Sequence, residues 1–257
     1  MTRISYVATL AVVLGSLLAA PVQAMISRTY VASSGSDANA AFDCNFTTPC
    51  RTFQTALNST LAGGEILAVD GSGYGAVTID RSVSIIANPG VFAGIGVFAS
   101  SNGNGTGVYV NTAGVNVVLR GLTFNGQGGS NGVEMANGNR LSVENCVFAG
   151  FSGGTAIYVH TAATANILNT LARDGGNGVY LANGAAASIS ESQVLGNNSA
   201  GIYVAGAGIS ATVSASMVTR NATGLSNNGG TLKSLGNNNV TDNTNNTSGT
   251  ITSTPLM

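Results

Sequence analysis

The sequence contains no tryptophan, one histidine, three cysteines and four prolines among its 257 residues. Only 7% of the residues are charged, and the formal net charge is −1. So little lysine and arginine excludes the basic surface that binding to nucleic acid phosphates requires. A disordered chain is excluded as well, because disorder accompanies low hydrophobicity and high net charge, whereas 44% of these residues are apolar.

The first 24 residues have the pattern of an export signal. Arg3 supplies the positive charge, residues 8–20 form an apolar run, and Val22 and Ala24 place small side chains before a cleavage point. A membrane anchor is the alternative, but the run is short for a membrane span. We therefore expect a secreted or periplasmic protein that has no membrane association after cleavage.

Cysteine usage agrees with export. Cys44 and Cys50 lie six positions apart in a polar segment, and in an oxidising compartment they should form a disulfide. The alternative, that they are metal ligands, lacks further candidates, because the only histidine lies far away in sequence. Cys146 is flanked by apolar residues and is expected to be buried. No metal and no cofactor is predicted.

A short motif, Gly-Val/Ile-Tyr-Val/Leu, recurs along the chain. It begins at Gly107, Gly132, Ala156, Gly178 and Gly201, and its spacing is 22 to 25 residues. Repeats of this length are typical of stacked structural units that cannot bury a core alone. Between the motifs, Val, Ile, Ser and Thr alternate in short runs that Gly and Asn interrupt, which predicts about three short strands per repeat.

These features predict an all-β protein that consists of a single right-handed parallel β-helix of about eight coils. In this fold each coil pairs with the next, about 4.8 Å along the axis, and the right hand is the one expected for parallel crossovers. We expect the β-helix to cover residues 64–246 and a tail to cover residues 247–257. Aligned repeats predict inward columns, of which one holds Leu119, Val143, Ile167, Ile189 and Val213.

Residues 25–63 are predicted to form an N-terminal strand, the disulfide loop and a capping helix. Phe53, Ala56, Leu57 and Leu61 have helical spacing within residues 50–64. A helix there would cover the open end of the first coil, which is an exposed sheet edge.

The same N-terminal region resembles the opening of bacterial exported right-handed β-helix proteins, which have the pectate-lyase-like superfold. The resemblance depends on five segments: YV at 30–31, GSD at 35–37, PCRTF at 49–53, GGEI at 63–66 and YGAVTI at 74–79. It implies the fold and the cap. It does not imply one activity, because members of one fold perform unrelated functions.

Residues that could perform catalysis are sparse. The polygalacturonase-like set of Asn-x-Asp, Asp-Asp and Gly-His-Gly is absent, and so is the Asp-Pro-His of alginate epimerases. Arg173, Asp174 and His160 fall within one coil and are weak catalytic candidates. A polysaccharide lyase or glycoside hydrolase is the alternative function, and it requires these three side chains to converge in a groove.

One outward column is rich in tyrosine. If the flanking apolar residues point inward, strand alternation places the column on the outer surface, and its members are Tyr109, Glu134, Tyr158, Tyr180 and Tyr203. The column could simply be a strand face on which tyrosines pack along a ladder. Alternatively, exposed aromatic rings could bind sugars or a protein.

The favoured function is a non-enzymatic binding or structural module at the cell envelope, with a polysaccharide or another envelope protein as partner. A third possibility is an assembly subunit that associates through its exposed coil ends.

Overall fold

A computed structural model describes residues 25–255, and short strands dominate it. The predicted export signal at residues 1–24 lies outside the described residues. In chain order the first thirteen strands are β1 (Ile26–Val31), β2 (Thr60–Ala68), β3 (Ser72–Gly73), β4 (Val77–Ile79), β5 (Val83–Ala87), β6 (Ala93–Phe98), β7 (Thr106–Asn111), β8 (Asn116–Arg120), β9 (Leu122–Gln127), β10 (Asn131–Asn137), β11 (Arg140–Glu144), β12 (Val147–Ala149) and β13 (Thr155–Val159). The next thirteen are β14 (Thr164–Leu168), β15 (Leu171–Arg173), β16 (Asn177–Leu181), β17 (Ala186–Ser190), β18 (Gln193–Leu195), β19 (Ala200–Val204), β20 (Ser210–Ser214), β21 (Met217–Thr219), β22 (Thr223–Asn227), β23 (Thr231–Leu235), β24 (Asn239–Thr241), β25 (Asn245–Ser248) and β26 (Ile251–Thr254).

The strands form three parallel sheets that wind as one coil. Sheet 1 contains ten strands in the order β1-β2-β5-β8-β11-β14-β17-β20-β23-β26. Sheet 2 contains β3, β6, β9, β12, β15, β18, β21 and β24, and sheet 3 contains β4, β7, β10, β13, β16, β19, β22 and β25. The predicted three strands per repeat are therefore confirmed, and the chain makes about seven turns.

The core is a set of files of equivalent side chains. Leu119, Val143, Ile167, Ile189 and Val213 pair in consecutive register and are buried, as the sequence predicted. In sheet 2, the rings of Phe124 and Phe148 stack with their centroids 4.4 Å apart. Each coil thus adds side chains to a core that it shares with the coils on either side.

A further inward column becomes polar towards the C-terminus; its members are Leu122, Cys146, Thr170, Ser192 and Ser216, and all five are buried. The backbone N–H of Thr170 donates to the Ser192 hydroxyl at 3.2 Å, and the N–H of Ser192 donates to the Ser216 hydroxyl at 3.1 Å. These N–H groups lie at the corner between sheets 1 and 2, where the chain turns away from the strand pairing. The hydroxyls therefore satisfy buried donors that would otherwise lack a partner.

The corner between sheets 2 and 3 contains a second ladder, made of asparagines. The side-chain oxygen of Asn221 accepts from the backbone N–H of Asn197 at 2.9 Å and from its side-chain amide at 2.8 Å. Asn243 repeats the arrangement one coil later, where its oxygen accepts from the backbone N–H of Asn221 at 2.9 Å. Asn197 and Asn221 are buried, so amide hydrogen bonds hold this corner of the coil together.

The N-terminal end is covered by a helix that is shorter than predicted. Helix α1 spans Phe53–Asn58, and its buried residues are Phe53, Ala56 and Leu57. The Phe53 ring packs on the ring of Tyr74 at a centroid distance of 5.2 Å. We had predicted that Leu61 lies on the helix. Instead, Leu61 lies in β2 and is exposed. Backbone pairing of β2 with β1 and β5 replaces the helical bonds there.

Two further features of the termini are visible. Cys44 and Cys50 form the predicted disulfide, and both are buried. At the other end, β26 pairs with β23, so the coil continues into residues 247–254, which were predicted to be a tail.

Within residues 25–255 no helix is long and apolar enough to span a membrane.

Candidate functional site

The tyrosine-rich column lies on the outer face of sheet 3. Glu134 pairs with Tyr109 on one side and with Tyr158 on the other, and Tyr180 and Tyr203 follow in register. All five side chains are half-buried, while the apolar residues next to them in each strand point into the core. The alternation of each strand thus places the five predicted residues in one file on the surface.

Three of these residues form a continuous tyrosine ladder: Tyr158, Tyr180 and Tyr203. Their ring centroids are 4.8 and 4.9 Å apart, and the interplanar angles are 38° and 42°. Tyr180 therefore has a ring on both sides. The outer side of Tyr158 is covered too, because the ring of His160 stacks on it at 4.4 Å. Only Tyr203 ends the ladder without a further ring on its far side, among the residues that the structure describes.

Beyond Tyr203 the column continues with small side chains. Ser226 pairs with Tyr203, and Ser248 pairs with Ser226. Neither is large enough to cover the tyrosine ring, and a hollow of about 540 Å³ opens beside it. We call this the Tyr203 hollow; its lining is Ser199, Ala200, Tyr203, Thr223, Ser226, Asn227, Asn228, Ser248 and Gly249. The lining contains hydroxyls, amides and one aromatic ring, and it contains no charged side chain.

A polar cluster occupies the other end of the ladder. Nε2 of His160 lies 3.1 Å from Oε1 of Glu134. The second carboxylate oxygen of Glu134 accepts from the Thr106 hydroxyl and from the Asn131 amide, each at 2.9 Å. The Glu134 carboxylate is therefore satisfied by several donors, and it orients the imidazole ring that stacks on Tyr158. We did not foresee this contact, because the register partner of Glu134 is Tyr158, and His160 lies two residues further along the chain.

The weak catalytic candidates do not come together. Arg173 ends β15 in sheet 2 and forms an ion pair with Asp174 at 2.6 Å, whereas His160 follows β13 in sheet 3. Within the described part of the chain, no hydrogen bond or ion pair joins His160 to either residue. No contact therefore supports convergence of the three side chains in one groove, and the coil corner at Asp174 lies between sheets 2 and 3.

The cluster around Glu134 contains few of the groups that catalysis on polysaccharides requires. Glycosidases use two carboxylates that flank the bond they cleave, but Glu134 is the only acidic member of its cluster. No group of three or more His, Cys, Asp or Glu side chains in residues 25–255 could hold a metal ion. Burial raises the pKa of Tyr158 above its usual value, with contributions from Tyr180 and Glu134, so its hydroxyl stays neutral at physiological pH.

Comparison with known proteins agrees with this architecture. A family model described as the right handed beta helix region matches residues 106–254, which is more than half of the chain. Among solved structures, the chain is similar to the crystal structure of pectate lyase Pel9A, with a TM-score of 0.58 and 16% sequence identity, over 90% of this chain and 68% of that chain. At this identity the similarity shows the fold alone. No curated protein matches the sequence. The chain belongs to the family of right-handed β-helix proteins.

Proposed function

We propose that this protein is an exported binding module of the cell envelope, and that it binds uncharged sugars at the Tyr203 hollow. The observation that carries the proposal is the tyrosine ring that ends the ladder beside a lining of hydroxyls and amides. A sugar ring presents apolar C–H groups on its faces and hydroxyls at its edge. The hollow offers an aromatic surface for the first and hydrogen-bonding groups for the second.

The ladder itself supports the site by fixing the ring. Tyr203 packs on Tyr180, which packs on Tyr158, so rotation of the Tyr203 side chain is restricted before any ligand binds. A rigid platform loses little conformational entropy on binding. Sugar stacking on the middle of the ladder is not part of the proposal, because a neighbouring ring lies on each side of Tyr180.

Export is supported by the disulfide between Cys44 and Cys50. Such bonds persist in oxidising compartments and are rare in the cytosol. Cell fractionation with an antibody against the chain tests this part of the proposal. A protein found in the cytosol with both cysteines reduced would contradict it.

The test of sugar binding is calorimetric titration of the purified chain with a panel of neutral disaccharides. Removal of the ring in Tyr203→Ala should weaken binding about tenfold, as expected for loss of one aromatic contact. Tyr203→Phe should retain most of the affinity, because the ring remains. Tyr109→Ala is the matched control: it removes a half-buried tyrosine of the same column that Glu134 separates from the ladder.

Absence of binding to every disaccharide would refute the sugar proposal. Equal loss of affinity in Tyr203→Ala and Tyr109→Ala would also contradict it, because a specific contact at the hollow predicts an effect from Tyr203 alone. Circular dichroism spectra of the variants establish that the coil is intact.

A second candidate function is turnover of a polysaccharide, and the contact between Glu134 and His160 favours it. If Nε2–H donates to Glu134, Nδ1 carries the lone pair and can accept a proton from a substrate. This function predicts release of oligosaccharides from a polysaccharide, and loss of that release in His160→Ala. Binding accounts for more of the site, because a lyase also needs a cation beside the substrate carboxylate, and within residues 25–255 no arginine or lysine forms a hydrogen bond or ion pair with Glu134 or His160.

A further inference from the structure

A second concave surface lies on the outer face of sheet 2, where the sequence singled out no residue except Arg173. Its volume is about 650 Å³. It shares no residue with the Tyr203 hollow, which lies on sheet 3. We call it the sheet 2 groove, and the residues on which the inference depends are Phe92, Gly94, Phe98, Asn125, Gln127 and Arg173.

Two exposed aromatic rings lie on one side of the groove. Phe92 and Phe98 are 56% and 51% exposed, whereas phenylalanine is usually buried in folded proteins. A Cβ added to Gly94 would lie 2.9 Å from Cε1 of Phe92, so the ring lies across this glycine. Gly96, two residues further along the same strand, is in the same position relative to the Phe98 ring, at 3.4 Å. Both rings thus rest on glycine backbone and remain accessible to a ligand.

Two amide side chains lie beside the rings on the next strand. Asn125 pairs with Gly96 and Gln127 pairs with Phe98 in register, and both amides are exposed. Within residues 25–255, neither side-chain amide forms a hydrogen bond with the protein. Their donors and acceptors are therefore available to a ligand that lies on the phenylalanine rings.

The groove continues along the coil axis. From Gly96 the register runs through Asn125 and Ala149 to Arg173, which is three strand spacings, or about 14 Å. Alanine and valine at the intervening positions keep this path shallow and open. The length suits several units of a linear chain rather than a single small molecule.

Charge indicates which chain the groove accepts. Arg173 is the only charged residue in its lining, and the Asp174 carboxylate lies 2.6 Å from its guanidinium. The field of this neutralised pair is small, so the lining matches an uncharged ligand better than an anionic one. Aromatic rings with flanking amides match the faces and the hydroxyls of neutral sugars.

We infer that the sheet 2 groove binds a linear, uncharged polysaccharide that runs along the coil axis, with sugar rings on Phe92 and Phe98 and hydroxyls bonded to Asn125 and Gln127. This is a site additional to the Tyr203 hollow. Because the two sites lie on different faces, one molecule could bind two glycan chains at once. The inference stands on its own residues and does not require the Tyr203 hollow to bind sugar.

The test is titration of the full chain with cellohexaose, mannohexaose and xylohexaose as neutral probes and hexagalacturonate as the acidic probe. We expect one neutral probe to bind, and we expect Phe98→Ala and Gln127→Ala each to weaken that binding, the former about tenfold. Phe42→Ala is the matched control, because Phe42 is 61% exposed but lies outside the groove. All these side chains are exposed, so the variants should fold.

The outcomes separate this inference from the function proposed above. If Phe98→Ala weakens hexasaccharide binding while Tyr203→Ala does not, the groove is the site, even if the hollow binds nothing. Failure of all three neutral probes to bind would overturn the inference. Binding of hexagalacturonate alone, with loss in Arg173→Gln, would overturn the choice of an uncharged ligand. A dimer in light scattering that Phe98→Ala dissociates would assign the groove to a second copy of the chain.

Discussion

Asn221 lies buried at the corner between sheets 2 and 3, and its replacement by alanine should destabilise the coil strongly. Its oxygen accepts from the backbone N–H and the side-chain amide of Asn197 at 2.9 and 2.8 Å. Its own amide donates to the carbonyls of Val194 and Thr219 at 3.0 and 3.1 Å, and to Asn243 at 3.0 Å. Asn221→Ala removes all five of these contacts and leaves buried polar groups behind.

The magnitude follows from the groups left without partners. A buried donor or acceptor that loses its partner costs about 1 to 3 kcal/mol. The Asn197 N–H and the Val194 carbonyl both lie inside the corner, whereas other groups of the site can rearrange or share neighbours. We therefore expect the local free energy of unfolding to fall by about 3 kcal/mol, which corresponds to a factor of about 150 in the opening equilibrium.

The assay must report on single coils, because unfolding of a repeat structure need not be two-state. Native-state hydrogen exchange, read at the backbone amide of Asn197, has this resolution. Asn221→Ala should accelerate its exchange about 150-fold. Asn198→Ala is the control, because Asn198 is exposed and its side chain makes no hydrogen bond within the described residues. Exchange at Asn197 that differs less than threefold between the two variants would refute the assigned role of the ladder.

Two further predictions concern titratable groups. Hydrogen bonds from Ser33 and Tyr74 lower the pKa of Asp70 in the folded state, so its stabilising effect is complete above the unfolded pKa of about 3.9 and is lost as pH falls through the lower folded value. Asp70→Asn should thus flatten the pH dependence of the unfolding free energy below pH 4, which acid titration in denaturant measures, and an unchanged slope would contradict this. Burial raises the pKa of the Cys146 thiol to about 12, so Cys146 should react with a thiol reagent at neutral pH only when the chain unfolds. Rapid labelling of the folded protein would contradict that prediction.

The fold could be predicted from the sequence because apolar residues recur at equivalent positions of each repeat, and this periodicity does not depend on any single residue. Leu119 and its equivalents are apolar at intervals of 22 to 24 residues, and only a stack of parallel coils buries all of them together. Tyr180 lies between the apolar residues Val179 and Leu181, so its outward direction followed from strand alternation. These conclusions needed no knowledge of any side-chain contact.

The site was less predictable, because its geometry depends on contacts between coils. The alignment indicated that Tyr158 and Tyr180 are neighbours, but it contained no information on whether their rings face solvent or each other. His160 follows its strand by one residue, and its reach to Glu134 depends on a rotamer. In the same way, the place of Ser192 in the repeat did not indicate that its hydroxyl accepts a hydrogen bond from the buried N–H of Thr170.

Helix α1 and the C-terminal strands show a different limit. Helical spacing of apolar residues predicted a helix through Leu61, but pairing of β2 with two neighbouring strands outweighs helix propensity there. At the other end, residues 247–257 belong to an Asn- and Thr-rich stretch and were predicted to be a tail. Ile251 is the only apolar residue of β26. Its partial burial against the core accompanies the pairing of β26 with β23, which continues the sheet.

The register between β16 and β19 has a consequence for how such a chain can change its size. Val179 pairs with Ile202 and Tyr180 with Tyr203 without any offset, so residues 178–200 occupy one complete turn of the helix. Loss or duplication of this 23-residue block would join equivalent positions and leave every remaining file of side chains continuous. Deletion of one residue within a strand would instead move the following side chains of that strand to the opposite face. Insertion or deletion of complete turns can therefore change the length of the coil during evolution while the packing of its core stays the same.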